Sequence, residues 1–228
     1  MIPQSPLPVG APVDSHPAPR PERVTLEGHY GRLRPLDPAR DAAALFALSH
    51  GPDKEAQWAY LGAGPFADVA SFTAQVEKFA VSADPFFYAV ADRDDKAVGW
   101  LSLMRIDPAN RVIEVGWILY TPALQRTPLA TEAQYLIAGY IFEALGYRRY
   151  EWKCNALNAP SKRAAERYGF TYEGRFRNHM IVKGRNRDTD WYSMLDSEWP
   201  ERKQTFTRWL DPANFDANGE QKTRFGSV

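Results

Sequence analysis

The sequence predicts an α/β (α+β) fold: a single domain around a central mixed, mostly antiparallel sheet flanked by helices. Three observations carry that prediction. Residues 113–120 alternate, with Ile113, Val115, Trp117 and Leu119 on one face and Glu114, Gly116, Ile118 and Tyr120 on the other, which is the period of a strand with one core face and one working face. Residues 128–145 then place Leu129, Ala133, Leu136, Ile137, Tyr140, Ile141, Ala144 and Leu145 on one helical stripe, a helix of about five turns. Residues 150–155 read as a further strand, and a strand, helix, strand succession sets it parallel to 113–120.

The remaining elements follow in chain order. Residues 1–23 are rich in proline and small polar residues and predict a flexible arm or one draped over the surface. Residues 30–36 alternate weakly as a first strand. Asp37 caps a helix whose first residue is Pro38 and which runs to about Ser49. Residues 51–65 form a loop carrying Trp58 and Tyr60, read either as the lining of a cleft or as lids on the core. Asp68 caps a second helix with Val69, Phe72, Val76 and Phe79 on its inner stripe. Residues 86–92 and 98–104, joined by Arg93, Asp94, Asp95 and Lys96, read as a hairpin leading into the central strand. Thr121 and Pro122 stop that strand, Thr127 caps the long helix with Pro128 at its first position, and Gly146 ends it. A short helix opening at Asn158 and Ser161 closes at Gly169. Residues 172–177 and 191–195 then form a last strand pair, and residues 198–210 an amphipathic helix. This gives an arm over 1–23, one domain over 24–196, and a helix and tail over 197–228 that pack on it.

Composition narrows the function. The chain has 228 residues, 44% of them apolar, and a formal net charge of zero. That suits one sizeable core and argues against a nucleic-acid binder working through a basic surface. No apolar run reaches the length of a membrane span and the N-terminus lacks a secretory pattern, so a soluble, cytoplasmic protein is expected. Cys154 is the only cysteine and reads as a packing residue, and His16, His29, His50 and His179 are scattered without ligand spacing, so no metal site is expected. The glycine motifs of NTPases, dinucleotide enzymes and α/β-hydrolases are absent. A helix N-terminus beside the tip of the central strand offers unpaired amides and the positive dipole end, a setting that favours an anionic ligand. With a second strand and helix start alongside, it forms the crevice where open α/β sheets bind ligands.

Taken together, EVGWILYTPALQRTPLAT and NAPSKRAAERYGFTYEGRFR resemble the GCN5-related N-acetyltransferase superfamily, most closely its branch of ribosomal-protein N-terminal acetyltransferases. The resemblance covers about residues 24–196. Its specific pieces are Asn158 with Ser161, Gly169-Phe170, and Glu173-Gly174. It implies a sheet splayed between the two parallel strands, with acetyl-CoA as co-substrate in the opening. Backbone groups of Leu119 and Tyr120 would pair with the pantetheine arm. The pyrophosphate would meet the turn Gln125, Arg126, Thr127, Pro128, Leu129, Ala130, which stands where the superfamily writes [QR]-x-x-G-x-[GA]. Pro128 replaces the glycine, removing an amide donor and the freedom to adopt positive φ. Arg126, Thr127 and Thr131 are the expected substitute contacts, with Glu132 repelling an anion. Asn158, Ser161 and Arg163 complete the expected coenzyme set.

Acetyl transfer needs a neutral amine, a polarised thioester and a proton donor for the departing thiolate. Glu114 is the candidate base, or else a carboxylate that bonds its neighbours. Ser161 matches a serine that related enzymes place near the coenzyme sulfur, or else serves only its helix start. The tyrosine acid of many superfamily members falls at Ala165, and an acidic residue of some relatives falls at Met180, so neither role carries over. Arg175, Arg177, His179, Lys183, Arg185 and Arg187 form a basic run, read as a recognition surface for an acidic acceptor or as a solvated face. The expected acceptor is a primary amine, on a protein N-terminus or a small molecule, with a homodimer left open and a ligand-binding protein without turnover as the rival.

Overall fold

The structure, a computed structural model, describes residues 9–217 and 219–226. Eight strands form one sheet in the order β1-β2-β3-β4-β5-β6-β8-β7. They are β1 (Leu26–Glu27), β2 (Arg32–Pro35), β3 (Phe86–Ala91), β4 (Ala97–Asp107), β5 (Val112–Tyr120), β6 (Arg149–Asn155), β7 (Thr171–Val182) and β8 (Arg185–Leu195). Only β5 and β6 are parallel. The helices are α1 (Pro38–Ser49), α2 (Val69–Val81), α3 (Pro128–Gly139), α4 (Ala159–Arg167) and α5 (Trp199–Leu210).

Helix starts fall where the capping chemistry puts them. The Asp37 carboxylate accepts from the amides of Ala39 and Arg40, Asp68 from that of Ser71, and the Thr127 hydroxyl from that of Ala130. Each of α1, α3 and α4 carries proline in its first turn, where a missing N–H costs no intrahelical bond. The long helix is shorter than its apolar stripe: α3 gives way to a π-helical turn over Tyr140–Ala144, in which the Leu145 amide bonds back to the Tyr140 carbonyl.

Two apolar clusters sandwich the sheet. One holds Ile113, Val115, Ala133, Ile137, Tyr150 and Trp152 beneath α3 and α5, and the other holds Leu45, Trp58, Phe72, Phe79 and Trp100 beneath α1 and α2. The central strand serves both, which corrects the simple alternation. Trp117 has φ of +50°, and the β4–β5 register slips between Trp100 and Ser102. This bulge turns the strand over. Trp117 and Leu119 therefore join the α1–α2 cluster, while Ile118 and Tyr120 pack with Ile113 and Val115.

The last hairpin is also longer than its apolar positions indicate, because β7 and β8 extend to a turn at Lys183 and Gly184. Of the arm, residues 1–8 lie outside the described residues. Farther along it, Ala18 donates to the Pro108 carbonyl, Arg111 holds Asp14 and the His16 carbonyl, and Tyr88 and Tyr140 grip the backbone of Glu22.

Candidate active site

The parallel ladder is short. β5 pairs with β6 only from Val112 to Val115, opposite Arg149 to Trp152, so the edge of β5 from Gly116 to Tyr120 faces an opening as β6 leaves. The bulge at Trp117 sits where the strands part. Both strands run in the same direction, so the N-terminal ends of α3 and α4 stand together at this opening.

Leu119 and Tyr120 remain paired with Trp100 and Gly99 on β4. Gly99 is required there, since a Cβ would lie 2.5 Å from the Leu119 carbonyl oxygen. Gln125 folds back so that its Nε2 donates to the Tyr120 carbonyl at 2.7 Å, and the Tyr120 hydroxyl accepts from Gln134 at 2.8 Å.

In the turn, positive φ falls on Arg126 (+63°), and Pro128 takes helical geometry at the first position of α3. The proline therefore fits the helix start, and the left-handed residue of this turn is Arg126, two places earlier. The expected substitute contacts divide. Arg126 is exposed. Thr127 is committed, its hydroxyl donating to the Leu124 carbonyl at 2.7 Å while capping Ala130. Thr131 is buried and its hydroxyl accepts from Arg167 Nη1 at 3.1 Å. Leu129 and Ala130 are buried as well, with the Tyr168 hydroxyl reaching toward the Ala130 carbonyl at 3.5 Å. Glu132, expected to repel an anion at the helix start, is bonded elsewhere. It turns away and accepts from the amides of His29, Tyr30 and Gly31 at 2.6, 2.8 and 3.1 Å, holding the turn between β1 and β2.

At α4, Asn158 is the cap, accepting from the Ser161 amide at 3.1 Å. The Ser161 hydroxyl accepts from the indole of Trp152 at 2.9 Å, close to the buried Cys154 thiol. Arg163 is exposed, and Lys162 pairs with Asp190 at 3.1 Å. Gly169, with φ of +91°, ends the helix and drops Phe170 onto Tyr150 and Trp152.

Glu114 lies within the paired section of β5, opposite Glu151, and both are buried. Lys153 Nζ bridges the two carboxylates at 2.9 and 2.6 Å and lies 3.8 Å from the centre of the Trp191 ring. Arg105 adds a second cation to Glu114 at 3.0 Å. Burial pushes the Glu114 carboxyl above its ordinary range, with Lys153 and then Arg105 opposing. No sequence spacing marks this cluster, since Arg105, Glu114, Lys153 and Trp191 come from four different strands.

The basic run does not form one surface. Arg175 holds Asp190 at 2.6 and 3.0 Å, Lys183 donates to the carbonyls of Trp58 and Gly64 at 2.8 and 2.5 Å, and Arg187 turns inward. The aromatic loop divides too. Trp58 is core, while the Tyr60 hydroxyl donates to the Leu157 carbonyl at 3.0 Å, just before α4.

The Acetyltransferase (GNAT) domain model matches residues 32–171, more than half of the chain. The chain belongs to the GNAT acetyltransferase family. A crystal structure of a GCN5-related N-acetyltransferase from Brucella melitensis is 52% identical, with a TM-score of 0.90 over 92% of this chain and 96% of that one. A Bacillus subtilis protein provisionally named ribosomal N-acetyltransferase YdaF is 32% identical over 111 residues, 48% of this chain and 60% of that protein. The ribosomal-protein-serine acetyltransferase of Escherichia coli is 28% identical over 107 residues, 46% of this chain and 59% of its own length. The GNAT fold accounts for the parting of β5 from β6. Among the described residues no helix is long and apolar enough to cross a membrane, and no group of three or more His, Cys, Asp or Glu side chains could hold a metal.

Proposed function

We propose that this GNAT protein transfers an acetyl group from acetyl-CoA to a primary amine, on a small molecule or a protein N-terminus. One observation carries the reading: β5 keeps an unpaired edge from Gly116 to Tyr120, directly before the N-terminus of α3. An extended amide-bearing arm suits such an edge, and a pyrophosphate suits the helix start beyond it. The fit is good at the exposed Arg126 and at the edge of β5, and it gains a cation that the sequence did not suggest, Arg167 beside Thr131. Thr127 and Thr131 act by shaping the turn.

On the acceptor side, Glu114 takes the amine proton. Its burial raises its affinity for a proton, which suits the proton-accepting role, and the half-exposed Arg105 is the partner that an entering amine displaces. We assign to the Ser161 hydroxyl, which accepts from Trp152, the role of donating toward a departing thiolate. Glu114→Gln should lower kcat about tenfold or more while leaving acetyl-CoA affinity intact, and an unaltered kcat would remove Glu114 from the reaction.

A ligand-binding protein without turnover is the rival, favoured by the two cations already on Glu114 and by Ala165 in the tyrosine position. Calorimetric titration of acetyl-CoA, with dephospho-CoA as control, followed by thiol release with an amine panel, separates them. Micromolar binding with turnover supports the enzyme, micromolar binding without turnover supports the rival, and absence of binding at millimolar coenzyme defeats the enzyme and leaves the rival with a ligand other than acetyl-CoA.

A further inference from the structure

The face of the sheet that carries Glu114 holds an uncompensated cation. Strand alternation puts Glu151 and Lys153 of β6 on this face, and beside them Trp191 and Thr189 of β8, which pair with Lys153 and Asn155. Arg187 is the next residue of β8 on the same face, opposite Met180 of β7 and past the end of β6. Its Nε is buried with no hydrogen-bond partner among the described residues. A buried guanidinium donor left unpaired is costly, and its burial lowers the affinity of Arg187 for its proton.

The surroundings do not neutralise it. Around Lys153 the cations Arg105, Lys153 and Arg187 face the carboxylates Glu114 and Glu151. Glu151 is also shared by Arg149, whose charge is cancelled by Glu173. The cations outnumber the carboxylates by one, and Arg187, which faces the Cys154 thiol and Glu114, is the one of the three with no ion pair among the described residues. His179 offers no negative charge, since it bonds Thr189 at 2.9 Å and is held below the ordinary imidazole range by burial and by Arg105, Arg187 and Lys153. The carboxylates of Asp188 and Asp190 are spoken for: Asp188 accepts from the Asn178 amide and the Asn186 side chain, and Asp190 pairs with Lys162 and Arg175.

We propose that Arg187 sets acceptor specificity by receiving an oxyanion, a carboxylate or a phosphate, carried by the amine, so that the acceptor is a small amino acid or aminoalkyl phosphate and not an alkyl diamine. This rests on the acetyltransferase reading above. Guanidinium pairs such oxyanions through charge-assisted, often bidentate bonds. The excess positive charge also disfavours a second ammonium and favours the neutral form of the amine to be acetylated.

The test is thiol release by the full chain at saturating acetyl-CoA, comparing an ω-amino carboxylate, an aminoalkyl phosphate, the alkylamine of equal length and the matching diamine. The expected result is a kcat/KM for at least one oxyanion-bearing amine about tenfold or more above both other amines. In Arg187→Gln that ratio should collapse toward one, and Arg187→Lys should retain part of it. The carboxylate and phosphate arms tell which oxyanion is preferred. A diamine or alkylamine used as well as the oxyanion amines, or a ratio unmoved by Arg187→Gln, overturns the proposal. Thermal stabilisation by the same amines supplies a readout independent of turnover. A Tm rise with the amino carboxylate or aminoalkyl phosphate in the native chain and not in Arg187→Gln supports the oxyanion site even if no amine is acetylated, in which case only the acetyltransferase reading fails. No such rise in the native chain, together with no turnover, overturns both.

Discussion

Lys153 is the residue on which the candidate acceptor site turns. Its ammonium is enclosed by Glu114, Glu151 and the Trp191 ring, and its side chain is 3% exposed. Two buried carboxylates face one another across the β5–β6 ladder, and without the lysine they would repel in a poorly solvated place. Lys153→Met should therefore destabilise the protein by about 3 kcal/mol, read from the urea midpoint at neutral pH. Glu114→Gln should cost less, since Lys153 keeps Glu151. If the two variants unfold at the same midpoint, the lysine does not hold the two carboxylates together. None of this was legible in the sequence. Glu114 stood out because it interrupts an apolar strand, but Arg105, Lys153 and Arg187 lie tens of residues apart, and only the strand order makes them neighbours.

At the scale of elements, the turn from β5 into α3 shows what a sequence pattern can and cannot convey. The cap at Thr127, the proline at the first helical position and the end of the strand near Tyr120 all rest on local chemistry, and all are found in place. The bulge at Trp117 was not legible, because nothing in a tryptophan side chain announces positive φ, and a single left-handed residue inverts every later side chain of the strand. The same holds for Arg126, which supplies the positive φ that Pro128 cannot adopt, while the amide donor stays missing. Arg126 therefore has two opposed roles, a strained backbone position and the exposed cation of the turn. Arg126→Gly should raise stability by about 1 kcal/mol through relief of that backbone and yet weaken acetyl-CoA binding severalfold through loss of the charge. Arg126→Ala should weaken binding as much without the gain in stability. A glycine variant that binds as tightly as the native chain would show that Arg126 makes no contribution to the anion site.

Across the whole molecule, the sheet is nearly two sheets. Strands β1 to β5 carry α1 and α2, strands β6 to β8 carry the long hairpin, and the two parts share a parallel ladder that ends at Val115 and Trp152. Beyond that ladder the halves are tied again by the loop over residues 51–66. Lys183 reaches from the hairpin tip to the carbonyls of Trp58 and Gly64, and Tyr60 reaches to the carbonyl of Leu157 on the far side. Trp58 anchors the middle of the loop in the α1–α2 core, while Gly62 lies against Trp117, leaving no room for a Cβ. These ties cross the opening and do not belong to its floor, so they bear on access more than on folding. The double variant Tyr60→Phe, Lys183→Ala removes hydroxyl and ammonium donors that are at least partly solvated, and its urea midpoint should fall by only about 1 kcal/mol. Hydrogen exchange should nevertheless quicken over residues 51–66, with β3 and β4 unaffected, because opening a tied loop is a local event well below the global unfolding free energy. If β3 and β4 exchange faster as well, the ties hold the two halves together. Unchanged exchange over 51–66 would mean that the Trp58 anchor alone fixes the loop.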